Sequence, residues 1–269
     1  MCLIAVAWKA HPAFRLVVAA NRDEAYARPA APAAWWTDAP DLLAGRDLRE
    51  GGTWMGVTRA GRFAAVTNFR DPGFAQLANA PSRGALVADF LRGGADAEAY
   101  ARDLSARAVA YNGFNLLVGD AGGLFYLSNR AEGVRRLEPG VYGLSNHLLD
   151  TPWPKVVRAR QAMADAVAAS DGSADGWESG LWEMLGNRVV AADDELPDTG
   201  VGREFERLLS PPFIRGDAYG TRASTVLTIA TDGEVRLIER SVAPGQEGWM
   251  EARHAFRIED GAAEAGSGV

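Results

Sequence analysis

The sequence predicts an α+β fold in which antiparallel sheets are flanked by segregated helices. Two observations predict it. Strand patterns come in hairpin pairs at both ends of the chain, and helical patterns are grouped in the middle; a regular strand–helix alternation would have pointed to a parallel sheet instead. No internal repeat and no shift in composition divides the 269 residues. A single domain over residues 1–259 is therefore expected, long enough to bury a substantial core, with residues 260–269 as a disordered tail.

The elements follow in order. Residues 2–8 and 15–20 are short apolar runs around a turn containing Pro12, and read as a hairpin buried on both faces. Residues 29–52, rich in Pro, Ala and Gly, read as a long surface loop. Residues 54–58 and 62–68 form a second hairpin joined at Arg59-Ala60-Gly61. Ser82 caps a helix through Leu86, Val87, Phe90 and Leu91, and residues 96–109 make another. Strands follow at 115–119, 124–128 and 141–145. Pro154 opens a helix through Val157, Ala164 and Val167, with shorter helices at 178–185 and 204–209. Residues 224–230 and 235–240 flank Thr231-Asp232-Gly233, the strongest hairpin signal in the chain. Residues 254–258 complete the strands.

Apolar residues make up 48% and charged residues 23%, values that argue against wholesale disorder. The net charge of −7 disfavours nucleic acid and anionic surfaces, and no basic stripe interleaves with aromatics, so no nucleic-acid partner is expected. With one cysteine no intramolecular disulfide can form, which suits a reducing compartment. The apolar start is short, lacks a basic segment before it and meets Lys9, His11 and Pro12, unlike a signal peptide. No apolar run approaches the roughly 20 residues that span a bilayer. The expectation is a cytoplasmic protein with no integral membrane segment.

Chemistry centres on Cys2. Methionine aminopeptidases generally remove Met1 before a small second residue, leaving an α-amine of pKa about 7.7–8.0 beside a thiol of about 8.5. Such a residue holds nucleophile and general base together; the competing role is a small hydrophobe at the start of a strand. Asn21-Arg22-Asp23-Glu24 ends the strand paired with residues 2–8, so the hairpin brings it beside Cys2. A guanidinium there favours thiolate, and a carboxylate can orient the α-ammonium; the alternative is a charged turn with a local ion pair. Asn68, Asn146 and Arg222 each adjoin an apolar strand. Asn amides can supply an oxyanion hole, although Asn is also a common turn residue. His11, His147 and His254 lack metal-ligand spacing, and no phosphate-binding glycine loop or nucleophile elbow occurs, so no metal and no cofactor are expected. Trp35, Trp36, Trp54 and Trp153 suit either a ligand pocket or the core.

The motifs, taken in order, are Met1-Cys2, Asn21-Arg22-Asp23-Glu24, Gly45-Arg46-Asp47, Gly51-Gly52-Thr53-Trp54-Met55-Gly56 and Thr67-Asn68-Phe69-Arg70. Ser82-Arg83-Gly84, Leu144-Ser145-Asn146, Trp153-Pro154-Lys155 and Tyr219-Gly220-Thr221-Arg222 follow. This series resembles the family named for its Asn-Arg-Asp-Glu motif, also called transport and Golgi organisation protein 2. The resemblance implies an N-terminal-nucleophile hydrolase-like αββα sandwich of two antiparallel sheets between helix layers. By analogy with that superfamily's cysteine branch, Cys2 is the nucleophile and Asp23 orients its amine. Asn68 and Asn146 form the oxyanion hole, and Arg22 and Arg222 tune charge around the thiol. In that branch the early Arg lies three residues before the Asp, whereas Arg22 immediately precedes Asp23. Two functions are implied. One is an amidohydrolase that cleaves a non-peptide C–N bond through a Cys2 acyl-enzyme. The other is a non-enzymatic carrier or chaperone for haem or an acyl or lipid ligand, since family members are linked to haem trafficking and lipid homeostasis. Either way the expected partner is a small molecule, an amide, an acyl compound or a haem-like ligand.

Overall fold

A computed structural model describes residues 2–172, 178–242 and 248–259. The strands, in chain order, are β1 (Cys2–His11), β2 (Phe14–Ala25), β3 (Ala30–Trp36), β4 (Ala39–Asp47), β5 (Met55–Thr58) and β6 (Phe63–Asn68). They continue as β7 (Phe114–Gly119), β8 (Leu124–Ser128), β9 (Val134–Arg136), β10 (Gly140–Leu144), β11 (Tyr219–Ala230), β12 (Glu234–Ser241) and β13 (Met250–Arg257). The helices are α1 (Arg83–Arg92), α2 (Ala97–Arg107), α3 (Pro154–Ala169), α4 (Ser179–Leu185) and α5 (Arg203–Leu209).

The strands form two sheets, antiparallel at every pairing, in the orders β10-β1-β2-β11-β12-β13 and β3-β4-β5-β6-β7-β8-β9. Strand alternation builds the layers. On β1, Ile4, Val6 and Trp8 point into a core shared with Leu43, Val57, Phe63 and Leu117 of the second sheet. Leu3, Ala5 and Ala7 point the other way, against Val156, Ala159 and Met163 of α3. On the far side, Leu42, Ala64 and Leu116 pack on Leu86, Phe90, Tyr100 and Leu104 of α1 and α2. Helix, sheet, sheet and helix thus stack as four layers, the expected αββα sandwich.

One expectation fails. Residues 29–52 are not a surface loop: they hold β3 and β4, paired at Ala34↔Ala44 and Trp35↔Leu43. The Pro- and Ala-rich stretch conceals an edge strand, where the missing N–H of exposed Pro32 costs no interior ladder bond. The final strands also begin earlier than the sequence suggests, at Tyr219 and Met250, and β9 was not anticipated. The tail expected at 260–269 lies outside the described residues.

Candidate active site

The β1–β2 hairpin brings the start of one strand beside the end of the other, with Cys2 directly opposite Arg22. The pleat sends neighbouring side chains of β2 to opposite faces. Asn21 turns toward the helix layer, its amide donating to the carbonyls of Leu185 and Pro212 at 2.8 Å each. Arg22 turns toward the second sheet, where its guanidinium stacks 4.3 Å from the Trp54 ring centroid and lies 3.6 Å from Asp47. Trp54 reaches that position by lying over Gly45, where a Cβ would sit 2.4 Å from the ring. Gly52 is equally constrained, because a Cβ there would sit 2.7 Å from the Gly84 carbonyl oxygen. The Gly-rich motifs therefore let the 51–54 turn pack on the start of α1 and place Trp54 against Arg22.

These contacts enclose a cleft of about 270 Å³, with Cys2, Arg22, Asp23, Glu24, Asn68 and Arg83 among its walls. Its lining is mainly polar, with Trp54, Val66 and Pro81 the principal apolar surfaces. Asp47 accepts from Arg28 at 2.6 Å and from the backbone N–H groups of Arg49 and Glu50. Burial works against its charge, but these bonds prevail and hold its carboxyl below the usual range.

Asp23 is 1% exposed. Its Oδ1 accepts from the Thr221 hydroxyl at 2.6 Å, and its backbone carbonyl from the Tyr219 hydroxyl at 2.9 Å. Burial pushes its carboxyl up, and the foremost opposing influence is the positive charge of Lys155. Burial also pushes the Cys2 thiol up, with the Asp23 charge adding to the effect. An unassisted thiol here stays protonated at neutral pH, so its use as a nucleophile requires a base.

The Ser145-Asn146 pair ties the two sheets together at this point. Ser145 donates from Oγ to the Cys2 carbonyl at 2.9 Å, and Asn146 donates from Nδ2 to the Asn68 carbonyl at 2.8 Å. Thr67 adds a bond to the Ser145 carbonyl at 2.6 Å. Asn68 lines the cleft, whereas the buried Asn146 lies beneath it and holds its backbone.

Cys2, Arg22, Asp23 and Asn68 are thus brought to one cleft, and Asn146 supports it. Arg222 is placed elsewhere. A bulge between Thr221 and Ala223 turns it out of register, and its Nη1 donates to the carbonyls of Ala25, Tyr26 and Arg28. It lines a separate cavity of about 80 Å³ behind Arg22 and Trp54, not the cysteine cleft.

Three features escaped the residue-by-residue reading. Lys155, on the first turn of α3, is 2% exposed, and its Nζ is buried without a hydrogen-bond partner among the described residues. Arg70 and Glu206 form a buried ion pair of 2.6 Å beside Trp153. Ser145 links Cys2 to its neighbours. A lysine at a helix N-terminus opposes the macrodipole, and that was the available signal for Lys155. Among the described residues no group of three His, Cys, Asp or Glu side chains is placed to hold a metal ion, and no helix is long and apolar enough to cross a membrane.

The four layers, two antiparallel sheets between helices, make an N-terminal-nucleophile hydrolase-like fold. A solved cysteine-to-alanine mutant of a conjugated bile acid hydrolase from Clostridium perfringens shares it, with a TM-score of 0.52 over 96% of this chain and 92% of that one. Identity is 8%, so the likeness is one of fold. Sequence relationship goes further. The family model described as Transport and Golgi organisation 2 matches residues 1–244. The Transport and Golgi organization protein 2 homolog of Bos taurus is 37% identical over 281 residues, covering 96% of this chain and 100% of its own length. The Homo sapiens homolog is 37% identical over 260 residues, covering 90% and 93%. This chain belongs to the transport and Golgi organisation 2 family.

Proposed function

We propose that the chain, once Met1 is removed, is an amidohydrolase that cleaves a non-peptide C–N bond through an acyl-enzyme on Cys2. The observation that carries this reading is the joint placement of Cys2, Asp23 and Asn68 in one polar cleft. The Cys2 sulfur attacks the amide carbonyl carbon while the thiol proton passes to the Cys2 α-amine. Asn68 is the side-chain donor for the oxyanion, a contribution of roughly 3–4 kcal/mol for a well-placed group. Collapse of the tetrahedral intermediate breaks the C–N bond, and the departing amine takes the proton from the α-ammonium. A thioester remains. The free α-amine then draws a proton from water, whose oxygen adds to the thioester carbonyl; the acid is released and the thiol regains its proton. Asp23 orients the amine throughout.

The alternative of a haem or acyl carrier has less support. The cleft, at about 270 Å³, falls just below the roughly 300–1,000 Å³ typical of ligand pockets, and its walls are mostly polar. None of the three histidines lines it.

Intact mass of the purified protein should show Met1 absent. A Cys2→Ala variant should fold normally and hydrolyse a panel of small N-acyl amides at least about a hundredfold more slowly than the parent. Undiminished turnover in that variant, or a native chain that retains Met1, would overturn the reading.

A further inference from the structure

The chain contains only two lysines, Lys9 and Lys155, against a large excess of arginine. Lys9 is exposed at the β1–β2 turn. Lys155 is buried where the charges of Asp23 and Cys2 act on it, in a position that three physical effects oppose. Its Nζ is enclosed without a hydrogen-bond partner among the described residues, a costly arrangement for an ammonium. It follows Pro154 in the first turn of α3, where the helix dipole repels a cation. Arg70, beyond the end of β6, adds a second positive charge. The charges that favour it are Asp23 on β2, Glu206 on α5 and the Cys2 sulfur when ionised. Arginine would bring a permanent charge and a rigid fork, whereas lysine brings a compact one that can still lose its proton.

The opposing effects become intelligible at Asp23. A buried carboxylate that alone faced the Cys2 α-amine would hold that amine as ammonium, and an ammonium cannot accept the thiol proton. Orientation by Asp23 and base function in the amine therefore conflict, unless something offsets the carboxylate. The geometry points to Lys155 as a positioning residue that does so: its buried ammonium counterbalances Asp23, so that the carboxylate orients the Cys2 α-amine while leaving it as free base. This inference rests on the amidohydrolase reading for its purpose, but its physical content concerns one amine and can be measured without any substrate. The charged and titratable groups facing this cluster are Arg22, Asp23 and Glu24 on β2, Arg70 after β6, Arg83 on α1, Glu206 on α5, Tyr219 on β11 and Cys2 itself. Burial lowers Lys155 itself to about 8, so at neutral pH it remains predominantly charged and able to act in this way.

The test uses full-length protein whose intact mass confirms that it starts at Cys2. Incorporation of ¹³C,¹⁵N-cysteine labels Cys2 alone, since the chain has a single cysteine, and NMR follows its α-amine from pH 5.5 to 9.5. In the parent the α-amine should titrate below the free-peptide range of about 7.7–8.0. In Lys155→Met it should titrate about one pH unit higher than in the parent, a tenfold loss of free base at a given pH. Lys155→Gln should move it the same way. Should either variant fail to fold, the parent value alone decides: an α-amine titrating above the free-peptide range overturns the inference. So does a midpoint that is the same in parent and folded variants. A shifted α-amine in a protein that hydrolyses no amide would sink the catalytic reading and leave this one standing. Hydrolysis with an unshifted amine would do the reverse.

Discussion

Lys155 is held against its own preference, and the cost is measurable as stability. Burial lowers its pKa from 10.5 to about 8. Below pH 8 the folded and unfolded chains both carry the charge, and the cost of burying it is fully present. Between about 8 and 10.5 the folded chain releases the proton while the unfolded chain keeps it, so this group's contribution to stability rises with pH. Lys155→Met should accordingly be more stable than the parent at pH 7, by at most about 3 kcal/mol. The difference should fade as pH approaches 10.5. Urea titrations of both proteins at pH 7 and 10.5 check this, and a less stable variant at pH 7 would contradict it. The sequence displayed Lys155 only as part of a Trp-Pro-Lys motif. Its burial comes from the packing of α3 on β1, which local sequence does not encode.

At the scale of elements, β3 is an edge strand fastened to the opposite sheet by side chains. Glu239 of β12 accepts the Ala33 N–H at 2.7 Å, and the His254 imidazole of β13 meets the Ala33 carbonyl at 3.0 Å. Together they satisfy backbone groups that an edge strand otherwise leaves open. Burial raises the Glu239 carboxyl from 4.5 to about 7. A raised carboxyl favours the folded state while it remains protonated, and that contribution is lost as pH climbs from 4.5 through 7. Glu239→Gln retains an acceptor for Ala33 without the charge. It should match the parent near pH 4.5 and exceed its stability at pH 8 by up to about 3 kcal/mol, as chemical denaturation at the two pH values would show. Equal stability at both pH values would count against a buried charge. The hairpins that frame the site were legible because each is local: an alternating run, a turn, a second run. β3 and β4 were not, since their Ala, Pro and Gly content mimics a loop and their pairing depends on the sheet they join.

Across the whole molecule, Arg70 and Glu206 join the end of β6 in one sheet to α5, which precedes β11 of the other. Both are almost wholly buried, and Glu206 also accepts from Thr199. Arg70→Met leaves that carboxylate enclosed without its main counter-charge and should cost about 3–5 kcal/mol. The Arg70→Met/Glu206→Met double variant should recover much of that loss, because a buried pair and an apolar substitute of similar volume are often close in stability. Thermal and urea unfolding of the single and double variants supplies the comparison, and a double variant no better than the single would reject the argument. By itself, the sequence determined the hairpins at the two ends of the chain and the helices between them, the antiparallel α+β class, the cysteine behind Met1 and its place beside Arg22 and Asp23. Those depend on periodicity and on one short hairpin, where neighbours in space are near neighbours in the chain. Tertiary structure alone decided that Asn146 supports Asn68 from beneath and that Arg222 lies behind Trp54. It also decided that Lys155 is buried within reach of the Asp23 charge and that Arg70 pairs with Glu206. Each of those placements joins distant segments across a sheet or between layers, and only the packed core fixes which of them meet.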